Sequence, residues 1–167
     1  FTTGHLLADL GCGNGRLTKL LLASCRQVVA VDESQEALSS FTHNFTMPSS
    51  CSSLTMLRAN LACLPIDSKF DRIVIAFNTF VCLGHEQKRS LLQWVRGHLL
   101  SGGYCLLDFY DGASFLASTD KNEIWVAQPV LIDEVFIHGE SYDVYEKGVA
   151  KPGLGQLTMT YDHFRQS

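Results

Sequence analysis

The sequence predicts an α/β protein built on a doubly wound, mostly parallel sheet, with an antiparallel β appendage at its C-terminal end. Through the first two thirds of the 167 residues, short apolar runs alternate with helical patterns, as strands and helices do in such a sheet. The runs are continuously apolar, which is typical of parallel strands that are covered on both faces. After Tyr110, strand-like runs follow one another with no helical pattern between them.

The same patterns place each element along the chain. Continuous apolar runs predict strands at residues 6–10, 28–31, 54–59, 73–77 and 104–109. Between them, apolar residues three or four positions apart predict amphipathic helices that begin near residues 16, 37 and 86. Ser101-Gly102-Gly103 is typical of a helix end, so we expect the last of these helices to stop there. In the appendage, strands are predicted at 124–126, 130–137, 142–145 and 157–161.

The composition excludes several classes of protein. With 46% hydrophobic and 18% charged residues, the chain has the make-up of a globular domain. Its longest apolar run, residues 73–77, falls far short of the roughly 20 residues that a membrane span needs. The 13 Lys and Arg against 17 Asp and Glu give a net charge of −4, without the basic excess that nucleic-acid binding usually requires. We therefore expect neither a membrane nor a nucleic-acid partner.

The cysteines and histidines show no metal-ligand spacing. None of the six cysteines forms a C-x-x-C pair, so we expect reduced thiols, no metal site and a cytoplasmic location. The chain has no initial Met, and its first predicted strand begins within a few residues, without a signal peptide before it. We expect from this that the sequence is a fragment or an excised domain.

A glycine-rich turn after the first strand carries the most information about function. It reads Asp9-Leu10-Gly11-Cys12-Gly13-Asn14-Gly15-Arg16, and glycines between a strand and a helix let a ligand lie against bare main chain. Arg16 stands where the dinucleotide-binding fingerprint has its third glycine. Asp9 would repel a pyrophosphate, but it suits a ligand that carries an ammonium and a sulfonium. Asp32 closes the second strand, at a position where a carboxylate can accept both ribose hydroxyls.

These features resemble the class I S-adenosylmethionine-dependent methyltransferases, which have a Rossmann-like sheet. Five consecutive segments are similar to the family's motifs in order, at residues 7–15, 28–32, 58–66, 70–78 and 92–108. The resemblance implies that the first motif holds the methionine end of the cofactor, the second its ribose and the third its adenine. It implies S-adenosyl-L-methionine-binding residues at Asp9, Gly11, Cys12, Gly13, Asp32, Asn60, Leu61 and Phe77.

The sequence departs from the family's pattern in three places. Asn60 replaces the customary Asp, so that an amide oxygen would accept the adenine amino group. Ser101 stands where the family often has Pro before Gly-Gly. The chain also ends before the family's last helix and its sixth and seventh strands, unless residues 154–165 supply one of these strands.

The resemblance implies an enzyme that transfers a methyl group to a small-molecule acceptor at O, N or C. Because this displacement depends on alignment and exclusion of water more than on acid–base chemistry, we assign no catalytic residue. His85 and Asp111 are candidate bases, although residues of these types at these positions more often mark a helix start and a turn. Phe77 and Tyr110 lie at the carboxyl ends of predicted strands, and either ring could attract the sulfonium or simply cover the core.

Two other functions stay open. A nicotinamide (NAD)-dependent oxidoreductase is disfavoured by Asp9 and Arg16, and a non-catalytic S-adenosylmethionine-binding module would have the same sequence features. Residues 77–80 lack the Asn/Asp-Pro-Pro-aromatic pattern of nucleic-acid amino methyltransferases, which favours a small-molecule acceptor. We expect residues 1–112 to bind the cofactor and residues 113–167 to form a cap on the substrate side, with a homodimer contact as an alternative role.

Overall fold

The computed structural model describes residues 6–43, 45–47, 53–109, 125–126, 128–137, 139–151 and 156–166. The chain divides into two units, residues 1–110 and residues 111–167. The functions that we expect of the predicted domains, 1–112 and 113–167, stay predictions.

The first unit holds a parallel sheet of five strands. They are β1 (Leu6–Leu10), β2 (Gln27–Asp32), β3 (Ser53–Arg58), β4 (Phe70–Ile75) and β5 (Leu99–Leu107). Their order across the sheet is β3-β2-β1-β4-β5, and every pair is parallel. The chain reverses its direction of winding between β1 and β4, and open α/β sheets bind ligands outside the carboxyl ends of the strands at such a point.

Helices pack on both faces of this sheet. The chain forms α1 (Arg16–Leu22) and α2 (Gln35–His43) after the first two strands, and α3 (Thr79–Cys82) and α4 (His85–His98) after β4. Adjacent strand residues point to opposite faces, so Leu7 packs with Leu21 and Leu22 of α1, while Ala8 belongs to a second cluster with Leu91 of α4. All of these side chains are buried. The predicted doubly wound sheet is confirmed.

The end of the last helix differs from the prediction. Helix α4 ends at His98 and β5 begins at once, so that Ser101-Gly102-Gly103 lies inside the strand. The pairing of β5 with β4 changes register in this segment. A Cβ on Gly103 would lie 2.8 Å from the carbonyl oxygen of Asp71. The glycines therefore allow the backbones of β4 and β5 to approach closely at an irregularity of the sheet. A Gly-Gly pair at such an irregularity has the same sequence pattern as a Gly-Gly pair at a helix end.

The second unit contains the predicted antiparallel sheet. Its strands are β6 (Trp125–Val126), β7 (Val130–Ile137), β8 (Glu140–Lys151) and β9 (Gln156–Arg165). Strand β8 pairs with β9 on one side and with β6 and β7 on the other, always antiparallel. Because β9 pairs with β8, it does not supply a sixth strand to the parallel sheet. Among the described residues, no helix is long and apolar enough to cross a membrane.

Two alanine substitutions test the account of the glycines. We expect Gly103→Ala to lower the free energy of unfolding by about 1–3 kcal/mol, because its Cβ would be forced against backbone oxygens. Gly97→Ala, in α4, meets nothing within 4 Å and should raise the free energy of unfolding by about 0.5–1 kcal/mol. Urea unfolding of both variants measures these changes. Equal effects of the two substitutions would contradict the close approach at Gly103.

Candidate active site

The glycine turn between β1 and α1 is held to the end of β2. The backbone N–H groups of Gly11 and Cys12 both donate to the carbonyl oxygen of Val31, at 2.8 and 3.0 Å. Gly11, Gly13 and Gly15 have φ values of 82°, 54° and 79°, in the left-handed region that glycine adopts without strain. The turn therefore depends on glycine at all three positions, and its backbone is fixed in place by β2.

Each glycine of the turn has a different neighbourhood. A Cβ on Gly11 would lie 2.3 Å from Cγ2 of Thr79, and a Cβ on Gly15 would lie 2.5 Å from the ring of Phe41. A Cβ on Gly13 would meet nothing within 4 Å. Gly11 and Gly15 thus make room for side chains of the protein, whereas Gly13 presents bare main chain to open space.

Asp32, the last residue of β2, braces this turn. Its Oδ2 accepts a hydrogen bond from the N–H of Gly13 at 2.8 Å, and its Oδ1 accepts one from the N–H of Ser34 at 2.9 Å. A carboxylate oxygen can accept more than one hydrogen bond. Asp32 is half-buried, so its carboxylate can support the turn and still accept a hydroxyl donor of a ligand.

Asp9 lies inside the protein, directly before the turn. It is only 2% exposed, and its Oδ2 accepts a hydrogen bond of 2.6 Å from the hydroxyl of Thr18 in α1. The pKa of Asp9 is raised to about 6, mainly by burial. The hydrogen bond from Thr18 opposes this rise, and the negative charge of Asp32 adds to it. The Asp9 side chain, which we predicted to suit a cationic ligand, is therefore shielded from solvent. Its negative charge lies in the protein interior, directly before the glycine turn.

The backbone of Cys12, rather than its thiol, contributes to the site. The side chain is buried. Burial, followed by the negative charges of Asp9 and Asp32, raises the pKa of the Cys12 thiol to about 12. The thiol is therefore neutral at physiological pH and is not an activated nucleophile.

The loop after β3 is closed by the side chain of Asn60. Its Oδ1 accepts a hydrogen bond of 2.8 Å from the N–H of Ala62, and its Nδ2 lies 3.5 Å from Oε2 of Glu33. The neighbouring Leu61 is buried in the core of the first unit. The amide oxygen that we predicted to face adenine thus already closes a turn within its own loop, although an amide oxygen has a second lone pair.

The turn after β4 lies beside the glycine turn. Phe77 is 55% exposed, and the guanidinium carbon of Arg16 lies 4.1 Å from the centre of its ring. Phe77 and Asn78 have φ values of 54° and 62°. The carboxylate of Asp108, just after β5, accepts hydrogen bonds from the backbone N–H groups of both residues. The structure thus brings Phe77 close to the first residue of α1.

The structure describes one of the two candidate bases. His85 is exposed at the first position of α4, whereas Asp111 lies outside the described residues. Tyr110, which we predicted as a possible aromatic face for the sulfonium, lies outside them too. In the parts of the chain that the structure describes, no group of three or more His, Cys, Asp and Glu could hold a metal ion.

The family of the chain follows from a comparison of its sequence with known families. The sequence model of a family described as a methyltransferase domain matches residues 7–103, which is more than half of the chain. This chain belongs to the methyltransferase domain family. The predicted family and the prediction of an enzyme are thereby confirmed. A sequence search of curated proteins finds no match to this methyltransferase domain.

Solved structures share the fold of the methyltransferase domain. An S-adenosylmethionine-dependent methyltransferase from Clostridium acetobutylicum ATCC 824 has a TM-score of 0.64 at 19% identity, over 99% of this chain and 67% of that chain. CalS10, an amino pentose methyltransferase from Micromonospora echinaspora, has a TM-score of 0.57 at 15% identity, over 96% and 67%. KedS8, a sugar N-methyltransferase from Streptoalloteichus sp ATCC 53650, has a TM-score of 0.57 at 14% identity, over 96% and 65%. These likenesses show the Rossmann-like fold, and the chain spans about two thirds of each structure's length.

Sequence reasoning missed two residues that hold the site together. Thr18 is a buried polar residue on the apolar face of α1. A polar residue at such a position indicates a buried hydrogen-bond partner, which here is Asp9. Asp108 follows β5, just as Asp32 ends β2, so the recurrence of an acid at the carboxyl end of a strand was the signal there.

Asp9→Asn tests the buried charge. Between the ordinary pKa of 3.8 and about 6, the unfolded chain loses the Asp9 proton while the folded chain keeps it. Asp9 therefore lowers the stability of the folded protein as pH rises through this range, by up to about 3 kcal/mol. Asparagine carries no titratable group, so the variant does not incur this loss of stability in this pH range, and its amide oxygen can still accept the hydrogen bond from the Thr18 hydroxyl. The free energy of unfolding of the variant, relative to wild type, should rise between pH 4 and pH 7.5, and parallel pH profiles would contradict it.

Proposed function

We propose that this methyltransferase domain binds S-adenosylmethionine at the glycine turn and transfers its methyl group to an O, N or C atom of a small molecule. The observation that carries the proposal is the bare main chain of Gly13, which meets open space while Asp32 holds its N–H. We propose the following residues for the cofactor site: Asp9, Gly11, Cys12, Gly13, Asp32, Asn60, Leu61 and Phe77.

The charges and hydrogen-bond acceptors of the described residues support this cofactor. Asp9 and Asp32 place two carboxylates around the glycine turn, and opposite charges favour a ligand that carries an ammonium and a sulfonium. Asp32 retains acceptor capacity for ribose hydroxyls. The exposed ring of Phe77 already attracts one cation, the guanidinium of Arg16, which supports its use as an aromatic face.

When bound, S-adenosylmethionine supplies an electrophilic methyl group on a sulfonium. The residues of the chain then have to orient the acceptor and exclude water, which can contribute much of the rate in a displacement of this kind. A base is required only where the acceptor loses a proton, and His85 and Asp111 are our candidates for that role.

Two considerations support a small-molecule acceptor. CalS10 and KedS8 are an amino pentose methyltransferase and a sugar N-methyltransferase, and the chain lacks the positive charge that a nucleic acid would favour, with a net charge of −4. We propose that residues 113–167 select this acceptor, with a homodimer contact as the alternative role. A cytoplasmic location fits the free cysteines among the described residues.

Transfer of a labelled methyl group tests the proposal. The full chain is incubated with methyl-labelled S-adenosylmethionine and fractions of a metabolite extract, and label in a small molecule is the expected result. Label that is bound but never transferred would favour a non-catalytic binding module. No bound label, together with a change in tryptophan fluorescence on addition of NADH, would favour the oxidoreductase.

Asp32→Ala tests the ribose contact. We expect its affinity for S-adenosylhomocysteine to fall by about 1–3 kcal/mol, because charge-assisted hydrogen bonds are lost. Calorimetry measures this change, and thermal unfolding without ligand shows whether the turn is intact. Asp67→Ala, which removes an exposed acid three residues before β4, is the charge-matched control and should keep its affinity. Equal affinities of the two variants would remove Asp32 from the site.

A further inference from the structure

Two consecutive residues after β4 have an unusual backbone conformation. Phe77 and Asn78 both have positive φ values, 54° and 62°, in the left-handed region. Side chains with a Cβ rarely adopt this region, and a bulky residue such as phenylalanine does so least readily. Such conformations persist only where the surrounding structure holds them, and they cluster at functional sites. A specific interaction must therefore hold this turn.

The carboxylate of Asp108 supplies that interaction. Its Oδ2 accepts the N–H of Phe77 at 3.0 Å, and its Oδ1 accepts the N–H of Asn78 at 2.9 Å. The N–H of Asp108 donates to the carbonyl oxygen of Ile75 at 3.2 Å, so that its own backbone is fixed at the end of β4. Hydrogen bonds to an ionised acceptor are stronger than neutral ones. One carboxylate thus holds both residues in the left-handed conformation.

The turn that Asp108 holds borders the glycine turn at two points. The ring of Phe77 lies 4.1 Å from the guanidinium carbon of Arg16, the residue that follows Gly15. The side chain of Thr79 occupies the space that a Cβ on Gly11 would need. A shift of this turn would therefore move an exposed aromatic ring relative to the bare main chain of Gly13.

We propose that Asp108 is a positioning residue of the methyltransferase site. Its carboxylate holds Phe77 and Asn78 in the left-handed conformation and thereby sets the position of the Phe77 ring beside the glycine turn. Asp108 acts through Phe77 and the turn that carries it. This inference rests on the proposed function, because the ring matters only where a cofactor is bound.

Asp71 provides a matched control for a purely structural role. Its Oδ2 accepts the N–H of Leu6 at 3.0 Å, so it too joins two neighbouring strands through a carboxylate and a backbone N–H. Leu6 begins β1, and this bond therefore lies at the amino end of the sheet, away from the glycine turn. If Asp108 only stabilised the sheet, its substitution would change ligand affinity no more than the substitution of Asp71.

Calorimetric titration with S-adenosylhomocysteine compares the two acids. Asp108→Asn replaces one acceptor oxygen with a donor group, and we expect its affinity to fall about tenfold to a hundredfold. Asp71→Asn should stay within about twofold of wild type. Unchanged affinity of Asp108→Asn, with wild type binding normally, overturns the positioning role alone. Absence of binding by wild type overturns the proposed function, and the inference with it.

A glycine rescue distinguishes positioning from general destabilisation. Asn78→Gly removes the steric cost of the left-handed conformation at one of the two residues, so in the Asp108→Asn background it should restore most of the lost affinity. Strictly additive effects of the two substitutions would show that Asp108 does not act through the turn. If Asp108→Asn does not fold, Asp108→Glu replaces it, since glutamate keeps the charge but displaces both oxygens, and full affinity of that variant overturns the proposal.

Discussion

The carboxylate of Asp32 joins the glycine turn to the end of β2, and the rest of the site depends on this contact. A turn with three glycines has more conformations to lose on folding than a segment of the same length without glycine. The bond from Gly13 to Asp32, and the two bonds to the carbonyl oxygen of Val31, select one of these conformations. The result is a segment of main chain that is both bare and rigid, which is what a ligand-binding backbone requires.

The G-x-G-x-G pattern has a separate physical reason at each glycine. Gly11 and Gly15 are crowded by Thr79 and Phe41, so a side chain there would displace α3 or α2. Gly13 is uncrowded and keeps its backbone accessible. The first and third glycines therefore allow the helices to pack closely around the turn, and the middle one leaves its main chain uncovered. A single motif thus combines close packing with an accessible backbone, which supports the proposed cofactor site.

Three carboxylates at the carboxyl ends of strands differ in burial and therefore in what they can do. Asp9 is buried and bonded to Thr18, so that its charge acts through the protein interior. Asp32 is half-buried, so it bonds to the backbone of the turn and still remains partly exposed to solvent. Asp108 is exposed, and both of its oxygens bond to the backbone of a strained turn. Carboxylates placed in this way favour a cation, which agrees with the cofactor that we propose for this member of the methyltransferase domain family.

The amino-acid sequence by itself determined the parallel sheet, the antiparallel appendage and the glycine turn, because each follows from periodicity or from local backbone preference. The tertiary structure decided where the polar side chains bond. The bonds from Phe77 and Asn78 to Asp108 join residues 31 and 30 positions apart, and Asn60 closes its own loop. It also decided that the glycines near residue 102 serve strand pairing. These outcomes depend on strand register and side-chain direction, which local sequence patterns do not encode.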